Sequence, residues 1–263
     1  MKRFALIPAV AALLLAVFAC KSAFEALLES NDTDAKYAAA FDYFNQGKFA
    51  KAARLFESMA VITNGTERDD TVQYYWGLSN YRAKDYYTAE TNFDNFIRNF
   101  PSSTFCENAE FLRLDCLFRA TYRYELDQTP TYKCITAISE YLIKHPDSEY
   151  LSVCDQMLDD LNERLDRKAY ESAYLYYKME DYKAARVALK NVLKDNASNR
   201  YREDVLYYSA MASYKYAQLS VRAKQKERYL VFYDDYFNFI GEYPDSPRRA
   251  GLDALYKKAK EKY

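Results

Sequence analysis

Apolar residues recur along this chain at a fixed set of offsets. From Tyr86, Ala89 follows at three, Phe93 at seven and Phe96 at ten, and Pro101 closes the segment at fifteen. The template fits four further stretches. Two keep the proline: Thr131, Cys134, Ile138, Tyr141, Pro146 and Tyr229, Phe232, Tyr236, Phe239, Pro244. Two lack it: Phe49, Ala52, Phe56, Met59 and Tyr182, Ala185, Leu189, Val192. At about 100° per residue, offsets 0, 3, 7 and 10 share an arc of roughly 80°, which is one face of a helix. The pattern predicts five amphipathic helices.

Each of these helices needs a partner, and a helical stretch precedes each. Nine residues before the template start stands a small residue in three copies, Ala40, Gly77 and Ala173; six before it stand Tyr43, Asn80 and Tyr176. The small residue lets two helices approach, and the large residue at offset seven fills the space between pairs. Short turns separate the partners at Gln46-Gly47-Lys48, Ala83-Lys84-Asp85 and Met179-Glu180-Asp181. After the template helices come Pro101-Ser102-Ser103, Pro146-Asp147-Ser148 and Pro244-Asp245-Ser246, where proline should stop one helix and serine cap the next. Pro247 is expected at the first position of the last helix.

This arrangement resembles the tetratricopeptide repeat, whose period is 34 residues. Here the template spacings are 37, 45, 51 and 47, so longer helices or insertions are expected, the latter at 124–130 and 222–228. The expected fold is all-α: a tetratricopeptide-like right-handed superhelix of about five helical hairpins. A final helix over 248–262 would cover the open end of the stack. Only six prolines and five glycines, in 263 residues, fit long helices with short turns.

Charge narrows the partners. Lys and Arg total 37 against 38 Asp and Glu, so no overall field draws nucleic acid. Tyrosine is abundant, 28 residues, and suits half-buried or contact positions where a ring is covered and a hydroxyl stays wet.

Residues 1–19 read as an export signal: Lys2 and Arg3, then an uncharged run from Phe4 to Ala19. The run is too short for a membrane span of about 20 residues. Val17-Phe18-Ala19-Cys20 resembles a bacterial lipobox, with Cys20 as the lipidated residue; an ordinary secretory signal cleaved near Ala19 is the alternative. Residues 20–33 are expected as a lipidated tether, with Asn31-Asp32-Thr33 capping a helix from about Asp34. Residues 34–130 would then hold the N-terminal repeats. Residues 131–263 would hold the C-terminal repeats and the capping helix.

The leader, five hairpins, and the stretch Leu161 to Tyr177 followed by Asp181-Tyr182-Lys183-Ala184-Ala185 resemble the BamD family of outer-membrane assembly lipoproteins. Lys36-Tyr37 and Gly65-Thr66-Glu67-Arg68 fit the same resemblance. The resemblance implies a protein lipid-anchored to the periplasmic face of the outer membrane. Its partners would be a BamA-like barrel protein and unfolded outer-membrane proteins. No enzymatic activity and no cofactor are expected, because the catalytic groups an enzyme would need are not legible in the sequence. Another tetratricopeptide lipoprotein, tethering cell-wall enzymes, is the alternative reading.

In tetratricopeptide stacks the first helices line the inner surface. Their register gives Tyr37, Phe41, Phe44, Tyr74, Leu78, Tyr81 and Arg82 as substrate-binding candidates. It also gives Arg167, Tyr170, Tyr174, Tyr177 and Lys178, which the BamD resemblance implies as partner-binding candidates. Rings could take the aromatics of a barrel strand, and Arg82 its terminal carboxylate. The same spacing would arise if these tyrosines only packed helix on helix.

No reactive constellation is legible. The one histidine, His145, precedes Pro146 as a turn residue, and Asp159-Asp160 and Asp234-Asp235 are helix neighbours that point apart. No nucleophile motif, phosphate loop or metal-spaced set appears. Cys106 and Cys116 are too far apart on one helix to bond; Cys116 with Cys134 is the disulfide worth testing, and buried thiols are the alternative for Cys106, Cys116, Cys134 and Cys154.

Overall fold

A computed structural model describes residues 23–261. Among the described residues there are twelve helices and no strand. They are α1 (Ala23–Glu29), α2 (Thr33–Asn45), α3 (Phe49–Ala60), α4 (Asp69–Arg82), α5 (Tyr86–Asn99) and α6 (Cys106–Arg119), then α7 (Thr129–Lys144), α8 (Leu151–Lys178), α9 (Tyr182–Asp195), α10 (Arg202–Gln218), α11 (Arg222–Glu242) and α12 (Arg249–Lys260). The expected export signal over 1–19 and the expected lipidation residue Cys20 lie outside the described residues. No described helix is long and apolar enough to cross a membrane.

The chain forms two compact units. One holds the described residues up to Thr121 together with 132–150; the other holds 122–131 and the described residues from Leu151 onward. The boundary expected at 130/131 falls inside the 122–150 stretch that they divide between them. In the first unit α2 packs on α3, α3 on α4, α4 on α5 and α5 on α6. In the second, α8 packs on α9, α9 on α10, α10 on α11 and α11 on α12. Within the stretch expected as a tether, α1 docks on α2 and α3, and Phe24 is buried with Ala40, Leu55 and Phe56.

The template is the core. In all five copies the residues at offsets three, seven and ten are buried, from Ala52, Phe56 and Met59 to Phe232, Tyr236 and Phe239. Gly77 shows why a small residue faces offset seven. A Cβ added there would lie 2.9 Å from the Phe93 ring, closer than real Cβ atoms approach. Helix and ring therefore meet only because the side chain is a hydrogen.

The hairpin turns are one device used three times. Gly47 (φ +72°), Lys84 (φ +66°) and Glu180 (φ +62°) are left-handed. In each turn the next residue's N–H reaches back five residues: Lys48 to Tyr43, Asp85 to Asn80, Asp181 to Tyr176. This is a Schellman closure, which satisfies helix-end carbonyls. Asp85 and Asp181 then cap α5 and α9 by accepting from Thr88 and Ala184 N–H. Asp32 caps α2 in the same way, within the predicted Asn31-Asp32-Thr33.

The proline turns differ from expectation in one respect. Ser103, Ser148 and Ser246 accept from the N–H two residues on, at Phe105, Tyr150 and Arg248, before the helix begins. They close a turn rather than occupy the N-cap. Pro247 likewise precedes Arg249, the first residue of α12, by two positions. The expected insertion at 124–130 is largely non-helical: residues 120–128 link α6 to α7. That at 222–228 is helix, the first two turns of α11.

Candidate functional site

First helices repeat at 34 residues even though the templates do not. Tyr74 pairs with Asn108, Tyr81 with Asp115 and Tyr174 with Tyr208, each 34 apart. These ties place the predicted residues.

In the first unit the rings of α2 and α4 form one edge-to-face array. Tyr37 lies 4.9 Å from Phe41; Phe41 lies 4.7 Å from Tyr75; Phe44 lies 5.3 Å from Tyr75 and from Phe49. Arg68 covers the Tyr37 ring at 4.7 Å while bound to Asp34 at 2.5 Å. Tyr37, Phe41, Phe44, Leu78 and Tyr81 are half-buried, so each presents only part of its surface. Tyr74 is different. It is 7% exposed, stacked on Phe105 at 4.4 Å, and its hydroxyl donates to Asn108 Oδ1 at 2.6 Å. Asn108 in turn donates to the Tyr150 hydroxyl, whose ring stacks on Phe111 at 4.0 Å.

Tyr81 donates to Asp115 Oδ2 at 2.7 Å, and Arg119 Nε reaches the same oxygen at 2.5 Å. Burial, with Asp115 adding to it, pushes the Tyr81 hydroxyl up to about 12, so it stays a donor at physiological pH. Arg82 is exposed, with no ion pair among the described residues. The surface thus joins ring edges, fixed hydroxyls and one available guanidinium.

In the second unit α8 carries a stack of nearly parallel rings. Tyr201 lies 5.1 Å from Tyr170 at 3°, Tyr170 lies 5.6 Å from Tyr174 at 9°, and Tyr174 lies 5.9 Å from Tyr177 at 15°. Tyr208 of α10 packs against both Tyr174 and Tyr177. Tyr170 is buried; Tyr174 and Tyr177 are half-buried. Burial pushes Tyr177 up to about 12 and Tyr170 higher still. Arg167 covers Tyr124 at 4.3 Å, and Lys178 covers Tyr174 at 4.9 Å while paired with Glu171.

Sequence reasoning singled out neither Asn108, Asp115 nor Arg119. Stepping 34 residues from Tyr74 and Tyr81 would have found the first two. It also did not foresee Glu110, whose two oxygens take Lys144 and His145, the latter at 2.6 Å. Burial pushes the Glu110 carboxyl up, but the bonds from Lys144 and His145 outweigh it and hold it below the usual range. His145 is thus a turn residue hydrogen-bonded to a carboxylate.

Cys106, Cys116, Cys134 and Cys154 are buried reduced thiols, so the tested pair Cys116 with Cys134 is not a disulfide here. Burial, with Asp115 nearby, pushes Cys116 up to about 12, far from a reactive thiolate. Among the described residues no three His, Cys, Asp or Glu side chains gather into a metal-holding group.

The outer membrane protein assembly factor BamD of Caulobacter vibrioides is 22% identical to the chain over 179 residues, 68% of the chain and 59% of the relative. The chain thus spans about three fifths of that relative's length. The family described as YfiO, outer membrane lipoprotein, matches residues 29–229. On that match, which covers most of its length, the chain belongs to the YfiO family of outer membrane lipoproteins.

Proposed function

We propose that the protein is a non-enzymatic scaffold of the machinery that inserts β-barrel proteins into the outer membrane. Acyl chains on Cys20 hold it at the periplasmic face. The single observation that supports this most is the family match over 29–229, strengthened by the assembly-factor name of the Caulobacter relative.

The ring array of Tyr37, Phe41, Phe44, Leu78 and Tyr81, with Arg82 beside it, receives unfolded barrel strands. Partly covered rings offer a flat apolar edge at low entropic cost, and Arg82 can take a chain-terminal carboxylate. Tyr74 supports this surface by fixing α4 against α6. On α8, Arg167, Tyr174, Tyr177 and Lys178 hold a BamA-like barrel protein, with Tyr170 as the buried base of the stack.

The test is peptide binding. Tyr37→Ala, Leu78→Ala and Arg82→Ala together should weaken a barrel C-terminal strand peptide about tenfold or more, with helix content intact. Unchanged affinity would reject the groove. Crosslinking in intact cells identifies the α8 partner, and cell-wall enzymes recovered in place of a barrel protein would favour the adaptor reading. Mass spectrometry of the mature N-terminus decides whether Cys20 is acylated.

A further inference from the structure

The hairpin of α10 and α11 is longer than its neighbour, and its end has unusual chemistry. From Tyr182 to Tyr229 the chain runs 47 residues, 13 more than the repeat period. The structure shows where they go. Tyr174 of α8 is level with Tyr208 of α10, so Lys178, the end of α8, is level with Ala212. α10 continues six residues further, to Gln218, about 9 Å at 1.5 Å per residue. α11 starts at Arg222, seven residues before its template tyrosine, whereas α9 starts at its own, Tyr182. Both arms are prolonged together, and the hairpin projects beyond the α8–α9 turn.

The projection is rigidly built. Ala217 and Tyr214 are buried between its arms. The Gln225 side chain, 7% exposed, donates to the carbonyls of Gln218 and Ser220 and closes the turn. Arg228 lies over the Tyr216 ring at 4.1 Å and donates to Ser220 Oγ. A tip held this firmly carries two aliphatic side chains in water: Leu219 and Val221, each 71% exposed. Leu230 follows at 56%. Between 215 and 230 the chain carries Lys215, Arg222, Lys224, Lys226 and Arg228 against one acid, Glu227, which pairs with Lys224. The chain as a whole has formal charge −1, so this is a local excess of cations.

From this geometry we infer that the α10–α11 tip docks on a bilayer surface containing anionic phospholipid. Two protruding aliphatics ringed by cations match such an interface: apolar side chains enter between headgroups while Arg and Lys meet phosphates. Water alone gives no reason to prolong a hairpin in order to expose leucine and valine. The inference goes beyond the scaffold reading and does not depend on which protein α8 holds.

The test uses the chain without the export signal of 1–19 and with Cys20→Ser, so that neither leader nor acyl chain contributes. An environment-sensitive fluorophore is placed at Leu219→Cys, the other cysteines being buried, with Tyr87→Cys as a control position. With vesicles of phosphatidylcholine and phosphatidylglycerol, the label at 219 should shift to the blue and be quenched by a lipid-borne quencher. The label at 87 should do neither, and salt should reverse the effect. Arg222→Ser, Lys224→Ser and Lys226→Ser together should lower vesicle affinity at least tenfold, since three cations that face the anionic surface are lost. Leu219→Ser with Val221→Ser, which leaves every charge in place, should abolish membrane insertion while keeping the melting temperature. A label at 219 that stays in water, equal burial at 87, or triple-variant affinity equal to the parent's would overturn the inference. So would burial of the label only when an acidic protein from membranes is added, which would make that protein the occupant.

Discussion

At the same 34-residue step the two units fasten their tyrosines differently. In the first, tyrosine hydroxyls of α4 donate to side chains of α6, at 2.6 Å to Asn108 and 2.7 Å to Asp115. In the second, tyrosines of α8 stack face to face, and the equivalent cross-helix contact is hydroxyl to hydroxyl, Tyr174 to Tyr208 at 3.4 Å. A hydrogen bond to a carboxylate is short and directional, and it fixes register. Stacked rings gain much the same energy over a range of offsets. The difference teaches that one spacing can encode either a locked or a slideable joint.

The largest effect should come from the contact that the units share in position but not in size. Phe93→Ala should cost about 3–5 kcal/mol, read from urea unfolding, because it empties the space against Gly77. Gly77→Ala alone should cost about 1–3 kcal/mol by overpacking. The second unit uses Ala173 and Leu189 at these positions, both buried in one cluster. Adding Phe93→Leu to Gly77→Ala copies that pair and should recover most of the loss. If the double variant is no better than the single, small residue and ring are not a matched pair.

Next in size is the ionic hub of the first unit. Glu110→Gln should cost about 2 kcal/mol at neutral pH, since two charge-assisted bonds are lost. The folded carboxyl titrates below its usual value. Its stabilisation is therefore complete above the unfolded-state carboxylate range and is lost as pH falls through the depressed folded value. Parent and variant should converge in acid. Asp166 of the second unit takes only neutral donors, the amides of Asn196 and Asn199 and the Arg200 N–H. The Lys144 ammonium is held above its usual value by Glu110, so its share of the Glu110 hub also disappears in strong alkali. Asp166→Asn should show no such alkaline loss. Melting temperatures across pH for both variants check the contrast.

Much of this was legible in the sequence, and the parts that were not have a physical cause. A template read as one helix face named buried residues such as Ala89, Phe93 and Phe96 directly, because a spacing of three, four and three allows no other face to be buried. The same logic grouped Tyr74 with Leu78 and Tyr81, yet Tyr74 is stacked on Phe105 and Tyr81 still meets solvent. Spacing says which residues share a face. It does not say how far a neighbouring helix covers that face. Uneven template spacings also hid the 34-residue ties, because α8 has 28 residues against 14 in α4 and α10–α11 is prolonged. Those lengths are set between the anchors, where nothing in the pattern repeats.

Removing single hydroxyls tests the two joints themselves. Tyr81→Phe should cost about 1 kcal/mol, with Asp115 left to Arg119 alone. Tyr174→Phe should be near neutral, because a 3.4 Å contact between hydroxyls contributes little beyond what water offers. Equal costs, measured by the same urea titration, would mean that the stack in the second unit is as directional as the bonds in the first.

An effect smaller than that of Tyr81→Phe should be the same in both units, which makes it a control on the comparison. Lys84 and Glu180 hold the left-handed residue of matching turns, one in each unit, where Gly47 holds it in the first hairpin. A side chain there crowds the following carbonyl by about 1–2 kcal/mol, while glycine loses about 0.5–1 kcal/mol more backbone freedom on folding. The balance favours glycine, so Lys84→Gly and Glu180→Gly should each stabilise by about 0.5 kcal/mol. Gly47→Ala should destabilise by a similar amount. The turns use backbone bonds alone, from Asp85 to Asn80 and from Asp181 to Tyr176, so neither tyrosine joint can alter the outcome. Gains of opposite sign in the two units would show that the turns feel the helices they connect, and that the contrast between bonded and stacked tyrosines reaches beyond the side chains that carry it.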